Sequence, residues 1–80
     1  MYSWKLKVPD RKRSLSQEGY ASFDEALRAL YVKLIYLLRK HEVDPEEYVY
    51  TEVLKNESTV WQSDEIADED VDNIRMELED

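Results

Sequence analysis

One amphipathic stripe constrains this chain more than any other feature of it. Phe23, Ala26, Leu27, Leu30, Leu34, Leu37 and Leu38 recur at intervals of three and four, the spacing that gathers side chains on one face of a helix. Tyr31 and Ile35 widen the stripe. Such a face is stable only when another layer covers it, so the rest of the chain must supply that layer. Ser22-Phe23-Asp24-Glu25 reads as a capping box: the Ser22 hydroxyl is expected to accept from the Glu25 N–H while the Glu25 carboxylate reaches back. Asp24 and Glu25 suit the positive end of the helix dipole, and Arg39, Lys40 and His41 suit the negative end. The spacing predicts a helix over 22–41.

The covering layer is expected to be a sheet. Tyr2, Trp4, Leu6 and Val8 alternate with Ser3, Lys5 and Lys7, the period of a half-buried strand. Pro9-Asp10 ends that run, and Arg11-Lys12-Arg13 reads as a turn. Leu15 to Tyr20 reads as a returning strand, with Gly19, the sole glycine, permitting a bulge or a positive φ. Beyond the helix, Val43 to Glu47 is a connection. Tyr48 to Leu54 and Ser58 to Gln62 are expected to form a hairpin across Lys55-Asn56-Glu57. Residue preferences predict a helix over 67–78. The expectation is an α+β fold: a small antiparallel sheet of three to four strands packed on one long helix, in the order ββαββ, with a short C-terminal helix. Residues 1–80 form a single compact domain with an acidic C-terminal segment, 64–80. Its expected core is Trp4, Leu6, Val8, Phe23, Leu27, Leu30, Leu34, Leu38, Val49 and Val53.

Tyr2-Ser3-Trp4-Lys5-Leu6-Lys7, followed by Ser16-Gln17-Glu18-Gly19-Tyr20-Ala21-Ser22, resembles the strand–strand–helix unit of the YegP-like small uncharacterised proteins. There a similar segment leads into the helix. The resemblance covers residues 2–30, with a gap in the turn. It implies a ββα opening and a tendency to dimerise, and it brings no catalytic residues.

Composition excludes several classes of function. The chain holds no cysteine and one glycine, so it has no disulfide, no thiolate metal site and no glycine-rich phosphate loop. The longest apolar run, within Ala29–Leu38, is broken by Lys33 and falls far short of the ~20 residues a membrane span requires. Met1 leads directly into a mixed apolar and basic stretch rather than a signal peptide, and a cytoplasmic location is expected. His41, the single histidine, reads as a helix-end cation. An 80-residue chain builds a deep pocket with difficulty, so the expectation is a protein that is not an enzyme and takes no cofactor. Asp68, Asp70, Asp72 and Glu79 have the spacing of a calcium loop, but Asn73 stands where glycine is required; no metal site is expected.

Charge carries the functional reading. Residues 1–41 hold nine Lys/Arg and four Asp/Glu, and residues 42–80 hold two and fifteen. The second half therefore points to a partner with a basic surface. The expected partner-binding face is Glu46, Glu47, Tyr48, Tyr50, Glu52, Glu57, Trp61, Asp64, Glu65, Asp68, Glu69 and Asp70, where aromatic residues interleave with carboxylates as at interface hot spots. The concrete expectation is an inhibitor encoded by a phage or mobile element, acting on a host DNA-handling or defence protein by DNA mimicry. One alternative is a small homodimeric domain using Val32 and Tyr36, which fall on the far side of the helical stripe. Another is a nucleic-acid-binding module using the basic segment 5–13, against which the net charge of −8 weighs. Some of those same cations are expected to pair internally with the acidic half.

Overall fold

A computed structural model describes residues 1–44 and 46–63. Strand β1 spans Tyr2–Val8 and β2 spans Arg13–Tyr20, with a 3-10 turn over Pro9–Arg11 between them; helix α1 spans Phe23–Arg39; β3 spans Tyr50–Lys55 and β4 spans Ser58–Ser63. The four strands form one antiparallel sheet in the order β2-β1-β3-β4. The protein is thus a small α+β fold of one four-stranded antiparallel sheet and one helix. Its ordering departs from the expected one by the 3-10 turn interposed between the first two strands, and β1, first in sequence, lies inside the sheet. The helix is shorter than the expected 22–41 and packs chiefly on β1, with lesser contact to β3 and β2. The helix expected over 67–78 lies outside the described residues.

Local chemistry explains the boundaries. At the helix start the Glu25 N–H donates to Ser22 Oγ at 3.2 Å, and the Ala21 N–H donates to Glu25 Oε2 at 3.1 Å. At its end Lys40 caps the helix and His41 takes a φ of 58°. The His41 N–H donates to the Leu38 carbonyl at 3.2 Å and the Glu42 N–H to the Leu37 carbonyl at 2.9 Å. Those two bonds are the Schellman pattern. The chain is thereby turned so that Val43, the next residue, is buried beneath the helix end.

The two hairpins are shaped by bulges and turns. Tyr2 pairs with Tyr20 and Ser3 with Glu18, leaving Gly19, at φ 102°, as the extra residue. Val53 pairs with Trp61 and Leu54 with Thr59, leaving Val60 as a second bulge. The β3–β4 turn places Asn56 at φ 49° and Glu57 at φ 72°, the two successive positive φ values of a two-residue type I′ turn.

The core lies between the helix and one sheet face. Trp4, Leu6 and Val8 from β1 and Val53 from β3 meet Ala26, Leu30, Tyr31, Leu34, Ile35 and Leu37 from α1, with Val43 and Val49 from the connection. Phe23, Leu27 and Leu38, expected as core, are half-buried at its margin. Tyr31, Ile35 and Leu37 are buried in their place, Leu37 on one side of the stripe and Tyr31 and Ile35 on the other. On β3, Thr51, Glu52, Val53 and Leu54 are all buried, although alternation gives consecutive residues opposite faces. Glu52, on the face away from the helix, accepts from Thr59 Oγ1 at 3.1 Å and lies 3.3 Å from Tyr50 Oη. No helix of the described residues is long and apolar enough to cross a membrane.

Candidate interaction site

Ion pairs join two arginines of the first hairpin to three carboxylates of the connection after α1. Arg11, on the 3-10 turn, grips Glu47 with its Nε 3.0 Å and 2.9 Å from the two carboxylate oxygens, while its Nη2 lies 3.6 Å from Asp44 Oδ2. The Asp44 N–H donates to Glu47 Oε1 at 3.3 Å. At the start of β2, Arg13 Nη1 donates to Glu42 Oε1 at 2.9 Å. These contacts tie the β1–β2 hairpin to the connection between α1 and β3, across more than twenty residues of sequence. The hydrogen bond from Arg11 holds the Glu47 carboxyl below its ordinary range, and the bond from Arg13 does the same for Glu42. The Arg11 guanidinium is correspondingly held more firmly protonated by Glu47.

The residues of the expected acidic face occupy several environments. Glu47 is committed to Arg11, its side chain only 9% exposed. Glu46 is exposed in the same loop and Tyr48 beside it. Tyr50 and Glu52 share a network on the sheet, where Tyr50 Oη donates to Gln62 Oε1 at 2.9 Å. Glu57 lies in the β3–β4 turn. Trp61 packs toward the helix, its ring 6.3 Å from that of Tyr31 in an edge-to-face arrangement. Asp64, Glu65, Asp68, Glu69 and Asp70 lie outside the described residues. The structure therefore brings together Glu46 and Glu47, and separately Tyr50 and Glu52, but not the described members as one surface.

Of the basic segment 5–13, Lys5 and Lys7 are exposed on the sheet face away from the helix, with Lys7 Nζ 5.9 Å from the Tyr50 ring centre. Arg11 and Arg13 are the residues just shown in ion pairs. His41 occupies the left-handed position that ends the helix. Among the described residues no group of three or more His, Asp or Glu side chains could hold a metal ion.

A different feature emerges on the other flank of the helix. A groove of about 700 Å³ runs between α1 and β2. Trp4, Gln17 and Tyr20 line its sheet side, and Ala29, Val32 and Tyr36 its helix side. Glu25, Arg28 and Lys33 stand along it. The Trp4 indole N–H donates to Tyr20 Oη at 3.1 Å, which satisfies the indole within the groove. Val32 is 38% exposed and Tyr36 49%, with Lys33 Nζ 5.0 Å from the Tyr36 ring centre. Sequence reasoning singled out Val32 and Tyr36 but not the sheet side. The available signal was Ala29, a small residue three before Val32, opposite the aromatic end of β2. No protein-family model, curated protein or solved structure matches this chain.

Proposed function

We propose that this is a non-enzymatic cytoplasmic interaction protein whose binding element is the acidic segment 64–80, which follows an electrically balanced stretch over residues 1–63. One observation carries the reading. Residues 1–63 contain ten Lys/Arg and ten Asp/Glu, whereas residues 64–80 contain one and nine. The whole excess of −8 therefore belongs to seventeen residues. The ion pairs of Arg11 and Arg13 further reduce the charge that the body offers a partner.

A partner with a basic surface would meet that segment through long-range attraction within about 10 Å at moderate salt, which raises encounter rates and orients the approach. A nucleic-acid-binding protein is the natural class of such partner, and the concrete form of the proposal is DNA mimicry by an inhibitor of phage or mobile-element origin. Affinity capture from cell lysate with the full chain tests it. The prediction is a basic protein recovered at low salt, released at high salt and displaced by duplex DNA. Recovery that DNA does not displace would overturn the mimicry, and recovery insensitive to salt would overturn the acidic reading itself.

A further inference from the structure

We propose that the groove between α1 and β2 is a binding site for a small organic carboxylate with an apolar body, an alkyl or aromatic acid. The fold leaves this space because α1 packs chiefly on β1. On the far flank Trp61 fills the angle between helix and sheet, its ring edge-to-face with that of Tyr31. On the near flank the helix offers Ala29, a single methyl group, opposite the inward residues of β2. The resulting volume, about 700 Å³, falls within the roughly 300–1,000 Å³ of small-molecule sites. Register then places two polar groups in it. Gln17 is paired with Trp4 and Tyr20 with Tyr2, so both lie on the sheet face toward the helix. In an unbroken strand residues three apart take opposite faces. The bulge at Gly19, with its φ of 102°, removes that difference, as bulges do where they re-aim a side chain. Tyr20 Oη accepts from the Trp4 indole, which leaves its own hydrogen to donate. Among the described residues neither that hydrogen nor the Gln17 amide has a partner.

Charge selects the sign of the ligand. Lys33 Nζ lies 5.0 Å from the Tyr36 ring centre and Lys40 Nζ 5.9 Å from the same centre. The electron-rich ring is thus already attended by ammonium groups, and an incoming cation meets like charge. Glu25, the carboxylate among the described lining residues, already accepts from the Ala21 N–H at 3.1 Å. What the groove offers a ligand is a set of donors, Tyr20, Gln17 and Lys33, beside the apolar surface of Trp4, Ala29 and Val32. A carboxylate accepts from all three donors, and its bond to an ammonium is charge-assisted. The apolar body of the acid then covers surface that is otherwise in water.

Nuclear magnetic resonance titration of the isotope-labelled full chain with decanoate tests the proposal, read at the Trp4 indole N–H and the backbone amides of Gln17, Ala29 and Val32. The expected result is saturable shifts at those groups with a dissociation constant below about 1 mM, and binding of decyltrimethylammonium at least tenfold weaker. Ala29→Leu fills the groove with a good helix former. It should weaken decanoate at least tenfold while the far-ultraviolet circular dichroism spectrum stays unchanged. Lys33→Gln should narrow the preference for decanoate over decanol. Absence of saturable shifts, shifts centred outside the groove, or equal binding of the cation would overturn the proposal. So would undiminished binding by folded Ala29→Leu, or groove signals that move with protein concentration alone, which would give the groove to a second copy. Both variants leave residues 64–80 untouched, so the outcome is independent of the role of the acidic segment.

Discussion

Among the described residues, four other than glycine adopt positive φ: Lys12, His41, Asn56 and Glu57. Each sits where the chain reverses, and each was read from sequence only as part of a turn or a helix end. Gly19 was legible because glycine advertises this conformation. His41 was not, because its charge suits a helix C-terminus equally well. The left-handed region costs an L-residue roughly 1–2 kcal/mol, which glycine avoids while losing about 0.5–1 kcal/mol in backbone entropy. His41→Gly and Glu57→Gly should therefore each stabilise the fold by about 0.5–1 kcal/mol, read as a higher denaturation midpoint in urea with an unchanged slope. A decrease at either position would contradict the turn geometry assigned here.

At the level of elements, the helix and the alternating strand β1 were legible because periodicity and capping chemistry agreed. Ser22 and Glu25 make the expected reciprocal contacts, and Ser22→Ala should cost about 1 kcal/mol of stability in thermal or chemical unfolding. Which residues of the stripe sit deepest was not legible: a broad stripe has more apolar positions than the sheet covers fully, and Tyr31, Ile35 and Leu37 are buried where Phe23, Leu27 and Leu38 are half-buried. The burial of Glu52 was not legible, because its partners, Tyr50 and Thr59, lie on the same hairpin but read as ordinary strand residues. Arg11 and Glu47 stand thirty-six positions apart, and only the fold reveals the pairing. Both Glu47 and Glu42 are held below the ordinary carboxyl range. Their contribution is complete above the unfolded value of about 4.3 and is lost as pH falls through the folded values. Arg11→Gln should thus be less stable than the native chain at neutral pH, and the difference should shrink as pH drops below about 4. Urea unfolding across that range checks it; a gap that widened in acid would exclude the assigned pairing.

For the whole molecule, the division of charge alters the initial picture. Halving the sequence suggested an acidic hairpin, yet residues 1–63 are balanced, and Glu42, Glu47, Glu25 and Glu52 serve ion pairs, a helix cap and a sheet network. The expected face took in paired carboxylates such as Glu47 because sequence does not show which glutamates are paired. The groove beside β2 is likewise invisible without the sheet order, which brings Gln17 and Tyr20 next to Val32 and Tyr36.

The central claim is that binding belongs to the terminal segment rather than to the body. Parallel affinity capture with two charge-neutralised full-length variants tests it most directly. One carries Asp64→Asn, Glu65→Gln, Asp68→Asn, Glu69→Gln and Asp70→Asn; the other carries Glu46→Gln and Glu57→Gln, two carboxylates exposed on the body. Loss of the salt-sensitive partner from the first variant and its retention by the second is the predicted result. Retention by the first and loss from the second would contradict the claim.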